Sequence, residues 1–245
     1  MSLWNKALAG GRMIIGILRR NRNQLHTLLW LALLLVGAGV FIELADEVMA
    51  GETSRIDEYI LLSLRNPADL SDPVGPGWVE EMGRDFSALG SAGVLAFITF
   101  ATLGYLLLSR HYRSAVFTAI AISGGVLVKI LLKTGFDRPR PELVPHETIV
   151  YSTSFPSGHS MMAAIVYLTL AALLARIHPQ HALKAYLLSI AALITLLIGI
   201  SRVYLGVHWP SDVLAGWAIG AAWAALCWLI AGWLQRRGMV ESENG

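Results

Sequence analysis

Charged residues are scarce in this chain of 245 residues. Asp, Glu, Lys and Arg make up 15% of it, and the formal net charge is +2. A soluble domain ordinarily carries about 25% charged residues, so the composition argues against a soluble protein. The small net charge also argues against a nucleic-acid partner, because domains that bind nucleic acids concentrate Lys and Arg.

Cysteine is nearly absent, and the histidines are dispersed. The single cysteine, Cys227, lies inside an apolar run, so no disulfide can form within one chain. The seven histidines form no His-Glu-x-x-His motif and no close cluster with Asp or Glu. The sequence therefore argues against a structural or catalytic zinc site, and no cofactor is expected.

Long apolar runs are what the chain has in abundance. Hydrophobic residues make up 55% of the sequence, and a helix needs about 20 predominantly apolar residues to cross a bilayer. The pattern predicts one all-α domain over residues 1–245, a polytopic membrane bundle whose first span is not cleaved. The six predicted transmembrane helices are 23–42, 86–109, 114–132, 160–175, 185–201 and 213–235.

Lys and Arg mark one side of the predicted bundle. They cluster in residues 1–22, in the connections between spans two and three and between spans four and five, and in the tail 236–245. Because cytoplasmic segments are enriched in Lys and Arg, both termini are predicted to be cytoplasmic, in a plasma or bacterial inner membrane. The sequence leaves the oligomeric state open.

The connection 46–90 is predicted to lie on the opposite, extracytoplasmic side. It carries ten acidic residues against three arginines, and it contains two stretches with the pattern of short amphipathic helices. One interpretation is a loop folded onto its own membrane domain, and the other is an interfacial entrance for a lipid. The predicted apolar faces are Ile56, Ile60, Leu61 and Leu64 in the first helix, and Trp78, Met82, Phe86 and Leu89 in the second.

Three polar clusters stand at span ends within residues 133–212, although membranes normally exclude such groups. The predicted topology puts all three on the extracytoplasmic side, where they can meet in one site. Their side chains suit phosphate, since Lys and Arg supply charge, Ser donates a hydrogen bond and Gly permits close approach. The helix predicted to begin at 156–159 would add its amide groups. The candidate phosphate-binding residues are Lys133, Arg140, Ser157, Gly158 and Arg202.

His208 and Asp212 stand four residues apart, with Pro210 between them. Proline favours the first turn of a helix, so the sixth span is predicted to begin here, and the spacing lets Asp212 reach the His208 ring. A carboxylate that accepts the proton of one ring nitrogen leaves the other nitrogen able to attack phosphorus. His159, on another helix, is placed to protonate the leaving oxygen. These three are the candidate catalytic residues.

The clusters fit the patterns Lys-x6-Arg-Pro, Pro-Ser-Gly-His and Ser-Arg-x5-His-x3-Asp, in this order, between Lys133 and Asp212. Together they resemble the signature of the type 2 phosphatidic acid phosphatase superfamily, whose membrane branch has six spans. The resemblance implies a phosphohistidine at His208 oriented by Asp212, with His159 as general acid and then general base. It also implies that the five phosphate-binding candidates hold the phosphate and that no metal takes part.

The resemblance further implies a membrane phosphatase that acts on a lipid phosphate or diphosphate. Undecaprenyl pyrophosphate, phosphatidylglycerophosphate, phosphatidic acid and a lipid A phosphate all remain possible substrates. Two other activities use the same residues: a lipid phosphotransferase, which passes the phosphate to another lipid, and a vanadate-dependent haloperoxidase, whose relatives are in general soluble.

Several residues beside the motifs have open roles. Arg138 is expected either to contact the substrate or to face solvent. Lys129, one helical turn before Lys133, is expected either to extend towards the membrane surface or to add charge suited to a diphosphate. His146 and Tyr151 are left out of the predicted site. Glycines in spans three and six are predicted to allow close helix packing, namely Gly124, Gly125, Gly216 and Gly220.

Overall fold

The computed structural model describes residues 3–141, 153–177 and 180–239, and it confirms a predominantly helical membrane protein. Side chains are described for 24–141, 153–175, 180 and 182–239. A π-helical turn, Ala164–Leu168, joins α6 to α7. The helices are α1 Leu3–Ala50, α2 Ser54–Ser63, α3 Gly77–Leu89, α4 Ala92–Leu108, α5 Tyr112–Gly135, α6 Gly158–Ala163, α7 Thr169–Ile177, α8 His181–Tyr204 and α9 Pro210–Arg236.

Five spans in the described part of the chain are long and apolar enough to cross a membrane. The pair α3–α4 gives a sixth when it is counted as one span, although it is bent by 50°. Gly90 lies at this bend, and a Cβ there would come within 2.5 Å of Ile198 Cγ2. The predicted span 86–109 therefore contains this bend, since α3 ends at Leu89 and α4 starts after Ser91, whose hydroxyl caps it.

Two local features differ from the sequence-based expectation. Helix α1 continues through Glu43 and Asp46 to Ala50, so these acids do not end the helix at the predicted start of the loop. A short antiparallel hairpin also follows α2, formed by β1 (Arg65–Asn66) and β2 (Asp69–Pro73). Its turn is stabilised locally, because the Asn66 side chain accepts a hydrogen bond from the Ala68 amide at 3.1 Å.

Small residues let α9 pack closely against its neighbours. A Cβ on Gly216 would lie 2.8 Å from the Ser157 carbonyl oxygen, and one on Gly220 would lie 2.6 Å from Ala164 Cβ. On the α5 side, a Cβ on Gly124 would lie 2.7 Å from the Trp223 ring. The predicted close packing at these glycines is confirmed, and it brings α5 and α6 against α9.

The two amphipathic helices predicted in the 46–90 connection are present as α2 and α3. Their predicted apolar faces turn partly outward, since Ile56 is 65% and Trp78 is 61% exposed. Their inner faces bury a mixture of polar and small side chains together with Leu61, which packs on Val203 and Val213. The α2–α3 segment therefore lies over the end of the bundle where α8 ends and α9 begins.

Candidate active site

Four helix ends meet beneath the α2–α3 segment, namely the C-terminal ends of α5 and α8 and the N-terminal ends of α6 and α9. The amide of Ser157 donates to the carbonyl of Asp212 at 2.9 Å, which ties the start of α6 to the start of α9. Arg140, just after α5, donates to the Val207 carbonyl at 2.7 Å. The three polar clusters of the sequence are therefore in direct contact.

His208 lies between α8 and α9 and is only 2% exposed. Its Nδ1 is 3.4 Å from Asp212 Oδ2, and its Nε2 is 3.1 Å from Nη1 of Arg140. A carboxylate accepts hydrogen bonds and a guanidinium only donates them, so the ring proton belongs on Nδ1 and the lone pair on Nε2. Burial lowers the pKa of His208 to about 3, and the neighbouring Asp212 only partly offsets this. The ring is therefore neutral near pH 7, as a nucleophile must be.

Asp212 is held through both of its carboxylate oxygens. Oδ2 accepts from the Trp209 amide at 3.0 Å and from the hydroxyl of Ser154 by a very short hydrogen bond. Oδ1 accepts from Arg138 Nη1 at 2.6 Å. With His208, these contacts fix the plane of a fully buried carboxylate, and α9 begins at Pro210 as the sequence predicted.

The structure contradicts one of the two expectations for Arg138. Its side chain is only 10% exposed, so it does not face solvent. Its two terminal nitrogens contact two carboxylates instead, Asp212 at 2.6 Å and Asp57 of α2 at 2.7 Å. Because both contacts are ion pairs, the Arg138 charge is compensated, and the guanidinium holds Asp212 in place.

The other cations of the motifs make contacts of a different kind. Lys133 donates to the carbonyl oxygens of Thr153 and Ser154, and Arg202 donates to the hydroxyl of Ser87. These neutral acceptors hold the cations in place without cancelling their charge. Arg202 Nε is buried and has no hydrogen-bond partner among the residues that the structure describes. A buried donor of this kind favours an anionic ligand.

The start of α6 supplies the remaining predicted residues. Ser157 is the N-cap, whose hydroxyl accepts from the amide and the hydroxyl of Ser160. A Cβ on Gly158 would lie 3.7 Å from Lys133 Cε and 3.8 Å from Lys129 Cδ, so the Lys129 side chain reaches the motif region. His159 packs against Gly90 and lies within electrostatic range of His208. All eight predicted site residues thus lie at one end of the bundle.

The sequence-based prediction missed four residues that hold the site together. Ser154 and Ser211 flank motif positions, Ser87 lies on the inner face of α3, and Asp57 lies on the inner face of α2. The spacing of Thr53, Asp57 and Leu61, one turn apart each time, marks that inner face in the sequence. His146 and Tyr151 lie outside the described residues.

A family model and several curated proteins are similar to this chain in sequence. The sequence model of the PAP2 superfamily matches residues 113–236. Phosphatidylglycerophosphatase B of Bacillus subtilis (strain 168) is 36% identical over 149 residues, which cover 58% of this chain and 70% of that protein. A lipid A 1-phosphatase of Rhizobium etli is 31% identical over 183 residues, which cover 63% of this chain and 73% of its own.

A solved structure has a similar fold. The crystal structure of a transmembrane PAP2-type phosphatidylglycerolphosphate phosphatase from Bacillus subtilis superposes with a TM-score of 0.70 at 28% sequence identity. The alignment covers 82% of this chain and 96% of that one. The similarity therefore extends beyond the motif region to most of the helical bundle.

Proposed function

The chain belongs to the PAP2 superfamily, and from that premise we propose that it hydrolyses a lipid phosphate or diphosphate through a phosphohistidine at His208. The observation that carries the proposal is the setting of the His208 ring. A carboxylate lies at Nδ1 and a cation lies at Nε2, with a neutral ring between them. This arrangement directs the Nε2 lone pair towards the group of cations that can hold a phosphoryl group.

In the first step, Nε2 of His208 attacks phosphorus and the bond from phosphorus to the lipid oxygen breaks. His159, whose ring takes up a proton when the anionic headgroup enters the site, gives that proton to the leaving oxygen. Arg140 exchanges its hydrogen bond to Nε2 for one to a phosphoryl oxygen, since the same nitrogen cannot accept a proton donor and form a bond to phosphorus. Asp212 stabilises the ring, which now carries both the Nδ1 proton and the phosphoryl group.

In the second step, His159 has lost its proton and can accept one from water. The water oxygen attacks phosphorus, the bond from Nε2 to phosphorus breaks, and inorganic phosphate leaves. The electron pair returns to Nε2, so His208 is again neutral with its proton on Nδ1. General acid–base catalysis of this kind contributes roughly 10²–10⁴-fold.

The positive charge that phosphoryl transfer requires comes from side chains in this proposal. Lys133, Arg140 and Arg202 surround the reacting group, and the amides at the start of α6 add partial positive charge. The buried Nε of Arg202 supports this assignment, because a phosphoryl oxygen would satisfy it. No metal ion takes part in the proposed steps.

The site is proposed to face away from the cytoplasm, at the bilayer surface. It lies at the same end of the bundle as the α2–α3 segment, whereas Arg110, Arg113, Lys184 and Arg236 lie at the other ends of their helices. Basic residues favour the cytoplasmic side. The exposed apolar side chains of α2 and α3 suit an interface with lipid, so a headgroup can reach His208 while its chains stay in the bilayer.

The substrate is proposed to be a lipid whose phosphate lies near the membrane surface, as in the relatives named above. Lys129 places a further cation beside Gly158, which suits a headgroup with a second phosphate. Replacement of Lys129 by Met is expected to lower kcat/KM for a diphosphate lipid about 10-fold, by removing one charged hydrogen bond. A monophosphate lipid should be affected several times less.

Phosphate release by the purified full-length protein tests the proposal. The substrates are undecaprenyl pyrophosphate, phosphatidylglycerophosphate, phosphatidic acid and lipid A in detergent, each with and without EDTA. We expect release from at least one of them, unaffected by EDTA, and a loss on the order of 10⁴-fold or more in His208→Ala. Transfer of labelled phosphate to an added acceptor lipid instead of water would indicate a phosphotransferase. Activity that EDTA abolishes would contradict the metal-free mechanism.

A further inference from the structure

We propose that Asp57, in the segment that covers the site, is a positioning residue for phosphoryl transfer. It acts through Arg138 and Ser211 on Asp212, and thereby on the tautomer of His208. This inference rests on the proposed function, since it assigns a residue far from the sequence motifs to the same reaction.

The first observation is the complete burial of Asp57 and the number of donors around it. The residue is 1% exposed. Its Oδ2 accepts from Arg138 Nη2 at 2.7 Å and from the Ser211 hydroxyl at 2.6 Å, and its Oδ1 accepts from the Ser211 amide at 2.9 Å. A buried carboxylate is tolerated only when it is paired and hydrogen-bonded in this way.

The second observation is that the partners of Asp57 are the groups that hold Asp212. The Arg138 guanidinium bridges the two carboxylates, with Nη2 on Asp57 and Nη1 on Asp212. Ser211 precedes Asp212 in the first turn of α9, so its two bonds to Asp57 also fix the start of that helix. Asp57 of α2 is thus linked to Asp212 twice, once through Arg138 and once through Ser211.

The third observation concerns charge. Arg138 carries one positive charge and contacts two carboxylates, so Asp57 draws part of that charge away from Asp212. Without Asp57, the whole charge of a buried guanidinium would act on Asp212 and weaken its hold on the Nδ1 proton of His208. The proton would then be free to move to Nε2, where it blocks attack on phosphorus.

A purely structural role for Asp57 would be to dock α2 on the bundle. Leu61, one turn later, offers a matched control, because it is fully buried against Val203 and Val213 and its side chain forms no hydrogen bond with the residues that hold Asp212. Leu61→Ala should loosen α2 and lower the midpoint temperature of thermal unfolding, because the truncation leaves a cavity. It should leave the orientation of Asp212 unchanged.

The experiment compares Asp57→Asn, Leu61→Ala and the double variant Asp57→Asn/Arg138→Gln in the full chain. Steady-state kinetics use the lipid that the wild type hydrolyses fastest, and ¹⁵N NMR of histidine-labelled protein reports the His208 tautomer, assigned with His208→Gln. We expect Asp57→Asn to lower kcat about 10–100-fold with KM within about twofold of wild type. The Nδ1-protonated signal should fall at the same time.

The double variant sharpens the charge argument. It removes the negative and the positive charge together, so the His208 tautomer should return towards wild type even if kcat recovers only in part. If Asp57→Asn does not yield folded protein, Asp57→Glu replaces it, which moves the carboxylate by one methylene and should also lower kcat without raising KM.

Two results would overturn the proposal. One is a substituted Asp57 variant with wild-type kcat and an unchanged tautomer. The other is an equal loss of kcat in the Asp57 variant and in Leu61→Ala, with the His208 tautomer unchanged in both. That result would assign the effect to the docking of α2. The tautomer is measured without any lipid, so it tests Asp57 even if the wild type hydrolyses none of the lipids and the proposed function fails.

Discussion

The two nitrogens of the His208 ring face surroundings of different composition. On the Nδ1 side, Asp212 accepts hydrogen bonds on both oxygens, and behind it Arg138 and Asp57 complete a network in which each charge has an opposite partner. On the Nε2 side lies Arg140, which also donates to the Val207 carbonyl. The motif cations Lys133 and Arg202 donate to neutral oxygens.

This difference separates positioning from binding. A network of compensated charges resists rearrangement, because each buried group would lose a partner if it moved. Lys133 and Arg202, which donate to neutral oxygens, keep their charge for an arriving anion. In the proposed mechanism, one set of arginine contacts orients the nucleophile and another binds phosphate, although Arg138 and Arg140 are only two residues apart.

The largest effect is expected from substitution of Asp212, on the Nδ1 side of the His208 ring. Asp212→Asn removes the charge that stabilises the phosphorylated ring and lets the amide favour the wrong tautomer, so kcat should fall on the order of 10⁴-fold. Phosphate release by purified protein measures this. Asp85→Asn, an exposed acid in α3, is the matched control and should keep wild-type activity. Wild-type activity in Asp212→Asn would contradict the role assigned to the Nδ1 side of the His208 ring.

A smaller effect is expected on the Nε2 side. Arg202→Gln removes one of several cations, and loss of a single group that stabilises the transition state ordinarily costs about 10²–10³-fold in rate. The His208 tautomer should stay as in the wild type, because Arg202 does not contact Asp212. Arg84→Gln, at an exposed surface ion pair with Glu80, serves as control. A changed tautomer in Arg202→Gln would mean that the two sides are not separate.

No change at all is expected when the pH of the free protein is varied around neutrality. Burial places the pKa of His208 at about 3, below its ordinary value, so the ring takes up a proton only in strong acid. Its ¹⁵N signals should therefore show the neutral, Nδ1-protonated form from about pH 5 to about pH 8, whereas an exposed histidine titrates near pH 6.5. A His208 midpoint near that ordinary value would contradict the buried, neutral nucleophile.

The spans and the motif residues could be predicted because each depends on a local pattern. A bilayer requires continuous apolar residues, so the cores of the helices are visible in the sequence even where their ends are not. Helix α1 runs past Asp46 because a charge marks the edge of the bilayer and does not break a helix. The bend at Gly90 was missed because it depends on contacts with Ile198 and His159, both distant in sequence.

The network behind Asp212 could not be predicted either, because its members are also distant in sequence. Asp57 is 81 positions from Arg138 and 154 positions from Ser211, and it is one of ten acids in its segment. Arg138 has a side chain that suits phosphate and lies two positions from the predicted ligand Arg140, so only the fold reveals that Asp57 and Asp212 contact it. Spacing identifies residues that act together within a motif, but not a partner contributed by a distant loop.

The most direct test of this account is to trap the phosphorylated protein during turnover of a radiolabelled lipid phosphate. The reaction is quenched with alkali, which preserves phosphohistidine, and the labelled peptide is mapped by mass spectrometry. The account predicts an acid-labile phosphoryl group on Nε2 of His208, present in the wild type and absent in His208→Gln. Turnover with no label on His208, or with the label on another residue, would contradict it.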